Sequence, residues 1–409
     1  MSTKKTVPER PQSGLQAGAW ELGTLSPKEP APTKFMTVLL LAGCVLAGLA
    51  ATGGGAPAQA ASFDCKKATQ PLDKRICADA ELSKLDEDLA AAYAKAKAAL
   101  SPDGQKILQT GQRDWLSYSR RICKTRLDPK IAKLVEESAE DCLKGEYRDR
   151  TENLAAGVTQ AGGFTFSQVD TFQAKEADPT VASGHTGFSY TQMAWPRIDV
   201  APAGIDAAPW NKAIAAAAKK LGADDTNGTG ASDDQANGTQ SSTGQTASDP
   251  ASTPAPDQDD QDADDIDISY NFGLVTPQMI SVELTIAVNG HGAAHPSGGS
   301  EVHNVFLADG HDLTAKELFR GDTDWQGYML KRSHAAWLDT MSDAPDMVDD
   351  KAIAQVILDP TNWQLTDKGV SLLFPTNSVG PDVVGEQQVD FTWDELKPYL
   401  LDKLPFTRP

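Results

Sequence analysis

Residues 62–96 read SFDCKKATQPLDKRICADAELSKLDEDLAAAYAKA. From Leu82 onward the apolar residues recur at three and four: Leu82, Leu85, Leu89, Tyr93 and Ala96 form one stripe of a helix. Asp79 stands where an N-cap would accept the first free amides, and Ser101-Pro102-Asp103-Gly104 breaks the run. Working outward, Leu108, Trp115 and Ile122 mark a second helix at heptad spacing. A third is expected from Pro129 to about Leu154, with Ile131, Leu134, Val135 and Tyr147 facing inward. Tyr93 and Trp115 read as core packing. The pattern predicts a small all-α bundle over residues 62–155.

Such a unit has a limited core, and cysteines fit that need. Of five Cys, Cys44 lies in an apolar run, while Cys65, Cys77, Cys123 and Cys142 all fall in the helical segment. An even, clustered set reads as two disulfides of an exported domain, and there is no C-x-x-C to suggest a redox or zinc motif. Four cysteines allow three pairings. Sequential pairing closes the smallest loops and would staple each helix end to its flank.

The apolar run is Phe35–Ala51, FMTVLLLAGCVLAGLAA, with Lys34 before it and Ala58-Gln59-Ala60 after it. A basic flank, an apolar stretch and an A-x-A site make a secretory signal, expected to be cut after Ala60 within an N-terminal extension of residues 1–60. Two other readings stand beside it: Leu41-Ala42-Gly43-Cys44 as a lipobox that would anchor the protein through Cys44, and the run as an uncleaved anchor. The expected location is periplasmic or secreted, with the lipid anchor as the alternative.

The helical segment carries a resemblance. F-D-C-x11-C, L-x2-L-D-x6-Y, Q-x2-W-L-x2-Y-x4-C and C-L-x3-Y-x2-R-x3-L resemble the LprI lysozyme-inhibitor type of domain. The matching positions include the four cysteines and Leu85, Asp86, Tyr93, Gln112, Trp115, Arg150 and Leu154. One position departs: the family usually carries Arg four residues after the Trp, and here that place is Ser119, followed by Arg120 and Arg121. The resemblance implies an exported helical module and inhibition of lysozyme by at least part of the family.

Residues 222–265 contain no aromatic, Leu, Val or Ile, and 224–265 hold 11 Asp and no Lys, Arg or Glu. Such a segment cannot offset its ordering entropy by burial, so it is expected to be a disordered, self-repelling insert. Either side of it, residues 163–221 and 266–409 read as one α+β domain with an antiparallel sheet. Strands are expected at Phe188–Ile198, Ile266–Leu274, Met279–Val288 and Glu301–Leu307; in the third of these Val282, Leu284, Ile286 and Val288 alternate with Glu283, Thr285 and Ala287. Helices are expected at Trp210–Leu221, Trp325–Met341, Asp350–Leu358 and Trp393–Leu401, with Val370–Phe374 and Gln388–Phe391 closing the sheet.

This half is similar to the extracellular domain shared by the RsiV anti-sigma factor and PdaC-type deacetylases. NGHGAAHPSG, WQLTDKGVSLLF, VGPDVVG and V-x-F-T-W-D-E-L-K-P-Y-L carry the likeness, with His295 and Trp393 as motif positions. In RsiV such a domain is a lysozyme receptor. Neither the anti-sigma segment nor the deacetylase domain is present, so those activities are not implied.

The chemistry points away from catalysis. The six His all fall in this half, but neither zincin pattern occurs, and the glycines and proline around His291 and His295 suit a loop better than a metal-binding helix. No G-x-S-x-G, P-loop or dinucleotide fingerprint is found, so no cofactor, metal or catalytic residue is expected. A net charge of −20 disfavours nucleic acid and favours a cationic partner. The expected function is a non-enzymatic exported protein that recognises, and in doing so inhibits, lysozyme-like cationic muramidases. Cell-wall glycan is a second candidate ligand. The alternative is a wall-associated accessory or an envelope protein-interaction module.

Overall fold

The computed structural model describes residues 61–125, 139–176, 188–226, 264–290 and 296–408. The signal segment, Cys44, His185, His291, His295 and most of the Asp-rich insert lie outside them.

Four helices come first: α1 (Pro71–Ala78), α2 (Ala80–Ala98), α3 (Pro102–Thr125) and α4 (Ala139–Ala156). Proline, harmless at a first turn because it lacks only an amide that would be free anyway, opens α1 and α3. Asp79 ends α1 and caps α2, its carboxylate accepting from the amides of Glu81 (2.9 Å) and Leu82 (3.0 Å). Leu82, Trp115 and Tyr147 are buried, the two rings meeting edge-on at 5.2 Å. Cys65–Cys77 ties the turn before α1 to its last residues, and Cys123–Cys142 ties the end of α3 to the start of α4. α1 was not expected from the sequence, and the described part of the third expected helix begins at Ala139.

The chain then forms β1 (Val158–Ala161), β2 (Phe164–Glu176), β3 (Phe188–Val200), α5 (Ala208–Thr226), β4 (Asp264–Val275), β5 (Met279–Gly290) and β6 (Ser297–Phe306). These strands make one six-stranded sheet in sequence order. All neighbours are antiparallel except β3 and β4, which are parallel. The expectation of an antiparallel sheet is thus corrected to a mixed one. The cause is α5, which carries the chain back so that β4 starts at the same end as β3; parallel neighbours require such a crossover. The helix runs on to Thr226 and β4 begins at Asp264, so both encroach on the expected insert. β1 and β2 were also unexpected. They are joined through Gly162 and Gly163 at φ 56° and 85°, the paired left-handed positions of a tight hairpin.

After the sheet come α6 (Ala315–Leu318), α7 (Trp325–Thr340), α8 (Asp350–Leu358), β7 (Trp363–Leu365), β8 (Gly369–Phe374), β9 (Gln387–Thr392) and α9 (Trp393–Leu396). The strands at 369–374 and 387–392 do not close the first sheet. With β7 they form a separate three-stranded sheet, because β8 is buried along its whole length and is flanked on both edges by its own neighbours. The last helix stops at Leu396, and Leu400 instead bridges to Phe319.

Each part of this layout has its own apolar packing. The helical unit packs around Leu82, Trp115 and Tyr147, and α5 packs Trp210, Ile214 and Ala218 on Val282 and Leu284 of the sheet. The C-terminal layer gathers Trp325, Trp337, Trp363 and Phe374.

Loops of 12 and 19 residues closed by the two bridges are each worth on the order of 3 kcal/mol in the chain-entropy account. Replacing Cys123 and Cys142 together by Ser is therefore expected to lower stability by about 2–4 kcal/mol. A urea titration followed by tryptophan fluorescence checks this, and an unchanged midpoint would contradict it.

Candidate functional site

Two of the residues picked out by the helical motif, Gln112 and Arg150, meet at the joint between the helices and the sheet, and the others lie within the helical unit. Arg150 on α4 is 1% exposed at its side chain. Its Nε donates to Gln112 Oε1 on α3 (3.0 Å), and its Nη1 to Asp170 Oδ2 on β2 (2.7 Å). The guanidinium lies 5.3 Å from the centre of the Phe172 ring. One arginine thus links two helices and a strand. Leu85 and Tyr93 pack on the helical core, Trp115 is inside it, and Asp86 accepts from the Ser62 amide (2.7 Å). Ser119, at the position where the family has arginine, is fully buried, while Arg121 reaches the Ala174 carbonyl (2.8 Å). Trp393 belongs to the C-terminal layer, its Nε1 donating to the Asp367 carbonyl (3.1 Å). His295 lies outside the described residues.

A second tie joins the two units 98 residues apart in sequence. Asp199 of β3 accepts from the amide (2.7 Å) and hydroxyl (2.6 Å) of Ser101 at the start of α3, and Arg197 pairs with it at 3.0 Å. Between the ties runs an aromatic seam. Tyr118 of α3 lies against Phe172 (5.6 Å) and edge-on to Tyr190 (6.2 Å). Gln192 donates to the Tyr118 hydroxyl (2.9 Å), and the Tyr190 hydroxyl donates to Asp267 Oδ2 (3.2 Å).

Asp267 begins an acidic stretch of the sheet. Burial pushes its carboxyl up to about 6; the Tyr190 hydroxyl holds it down, and the charges of Asp265 and Asp149 push it further up. Burial, with Glu146, Asp265 and Asp267 adding to it, also pushes the Tyr190 hydroxyl well up. Side chains alternate along β4 and β5, so Asp267, Ser269 and Asn271 share a face with Glu283, Thr285 and Ala287, opposite α5. Gln364 of β7 donates to Glu283 (3.1 Å), and Thr285 shares a hydrogen bond with Ser300 of β6 (3.2 Å). Burial pushes the nearby Glu386 carboxyl up as well; a hydrogen bond from Ser300 counters this and the charge of Glu283 adds to it.

The described histidines are held by acids rather than gathered into a site. His303 has Asp312 at 3.4 Å and Glu301 at 3.7 Å. Burial alone would lower it, but these two acids raise it to about 9. His311 lies between Asp309 (2.5 Å) and Glu317 (2.9 Å), and His334 beside Asp350 (2.5 Å). Among the described residues no three His, Cys, Asp or Glu are arranged to hold a metal ion, and no helix is long and apolar enough to cross a membrane.

The arrangement can accept hydrogen bonds and positive charge along the sheet, and it joins a helical unit to that sheet through a buried ion pair. Residues 65–154 match the family model described as lysozyme inhibitor LprI. The matched stretch is the four-helix unit with its bridges, and most of the chain lies outside it. Among solved structures, the chain is similar to a DUF3298 family member from Bacteroides fragilis NCTC 9343, at 11% identity and a TM-score of 0.35 over 60% of this chain and 96% of that one. It is also similar to a DUF3298 family protein from Pseudomonas aeruginosa PAO1, at 11% identity and a TM-score of 0.36 over 58% and 95%. No curated protein matches the chain.

Asp170, Tyr190, Asp199 and Asp267 carry no sequence motif that marks them as contact residues. A signal for the first existed: Gly162-Gly163 between two runs of alternating residues is a hairpin signature that would have placed β2.

Two predictions follow from the joint and the acidic stretch. Arg150→Ala leaves Asp170 buried with the Gln168 amide but no counter-charge, so a loss of about 3–5 kcal/mol is expected, whereas Arg150→Met with Asp170→Leu should lose much less. Urea melts of the two variants compare them, and equal losses would contradict the pairing. For Asp267, the folded state holds the extra proton between about 3.8 and 6, so its contribution to stability falls as pH rises through that window. Asp267→Asn is therefore expected to raise stability at pH 7–8 by about 1–3 kcal/mol, with the gain vanishing below pH ~4. Thermal melts across pH 4–8 read the difference.

Proposed function

We propose that this chain is an exported protein that binds lysozyme-like muramidases and restrains them by occlusion, without turning over a substrate. The observation that carries this reading is the match of residues 65–154 to a family described by lysozyme inhibition. Three features support it. The helical unit holds two disulfides, which persist in oxidising compartments outside the cytoplasm. The chain carries a net charge of −20, which speeds encounter with a basic enzyme. The resemblance of the C-terminal half to the RsiV-type receptor domain adds a second, independent link to the same partner.

An inhibitor of this kind needs only to cover the carboxylate-lined groove of its target. The acids on this chain are then steering and contact groups, and their effect is screened by salt. The test is a lysis assay with peptidoglycan, a muramidase of basic pI and a molar excess of the disulfide-bonded protein. Lysis is expected to slow, and the slowing to weaken as salt rises from about 0.02 to 0.3 M, over which the Debye length shrinks several-fold. Unchanged lysis at the lowest salt would overturn the inhibitory part, and a pull-down from the same mixture that recovers no muramidase would overturn the binding part.

A further inference from the structure

α5 closes one face of the six-stranded sheet. Among the described residues the opposite face is covered toward its two sides: α3 lies over β2 and β3, and β7 lies against β4, β5 and β6. Between these covers Asn271 and Ala287 are exposed, and Asp267, Ser269, Glu283 and Thr285 are only partly buried. The opening is therefore a strip of bare β4 and β5 with a helical wall on one side and the C-terminal layer on the other.

Carboxylates border that strip on both sides. Asp267 stands at the helical wall, where the charges of Asp265 and Asp149 reach it, and Glu146 reaches its neighbour Tyr190. Glu283 and Glu386 stand at the far wall, where the charge of Glu283 reaches Glu386. Among the described residues, the charged groups that act on Asp267 are Asp265 and Asp149, and the one that acts on Glu386 is Glu283. This contrasts with Asp170 and Asp199, each of which has an arginine at 3.0 Å or closer. Asp267 is partly buried and Glu386 is more exposed, yet each has neighbouring carboxylates, so an incoming lysine or arginine on this strip would relieve their mutual repulsion. Ser269, Asn271 and Thr285 add neutral donors and acceptors between the charges.

We infer that this open strip is the surface on which a basic face of the bound muramidase docks, with the helical unit forming one wall of the contact. The inference rests on the function proposed above and deepens it: the partner meets a composite surface, and the helices contribute a wall rather than the whole interface. A convex basic ridge fits such a floor, and its charges are met where they are most complementary.

The test uses the whole disulfide-bonded protein and a lysozyme of basic pI, with affinity measured by calorimetry at several salt concentrations. One variant reverses the charge balance at exposed positions only, Asn271→Lys with Ala287→Lys, which leaves the buried groups untouched. A second removes charge, Asp267→Asn with Glu283→Gln and Glu386→Gln, and its melting curve reports that it is folded. Both are expected to weaken binding at least tenfold at low salt and to flatten its salt dependence. If the wild-type protein binds and the Asn271→Lys, Ala287→Lys variant binds equally well, the strip is not the docking surface while the proposed function stands. If the wild-type protein does not bind at low salt, both are overturned.

Discussion

The Arg150–Asp170 pair is the contact on which the relation between the two halves depends. It is buried on both sides, and the arginine is also held by Gln112 and covered by the Phe172 ring. A charge taken out of water in this way is tolerated only with its partner in place, so α3, α4 and β2 are fixed together or not at all. The Ser101–Asp199 contact sets the other end of α3, and the Tyr118 seam fills the space between. The helical unit is consequently one layer of the sheet domain. That is why Gln112 and Arg150 of the helical motif meet at an interior joint.

The two kinds of acidic group in this molecule behave differently. Asp170, Asp199 and the pair around His303 have fixed counter-charges and define structure. Asp267 and Glu386 have other carboxylates for company and hold their protons more tightly than usual. Groups with displaced proton affinity concentrate where a protein meets something else. The distinction cannot be drawn from net charge, which counts both kinds alike.

What was legible in the sequence follows the strength of local patterning. The stripe from Leu82 to Ala96 and the alternation from Val282 to Val288 were sufficient to place α2 and β5, since each depends only on a repeat within one element. Asp79 gave the start of α2 for the same reason. The mixed character of the sheet was not legible, because direction depends on the crossover that α5 makes, and apolar periodicity carries no information on direction. β8 was placed correctly but assigned to the wrong sheet: a strand buried along its whole length reads the same whichever neighbours it has. Arg150 could be singled out from its motif, whereas Asp170 was within reach only through the Gly162-Gly163 hairpin signature, and the register shift at Thr165 and Phe166 hides which face of β2 it takes. The acidic strip is a product of register between β4 and β5, which only the folded chain displays.

The Cys123–Cys142 bridge spans the chain between α3 and α4. A protease that severs the backbone anywhere between those cysteines therefore yields two pieces still joined by a covalent bond, one bearing α1 to α3 and the other α4 and both sheets. Such a nicked molecule would migrate as one species until reduced, and its helical layer would stay attached while the break goes unrepaired.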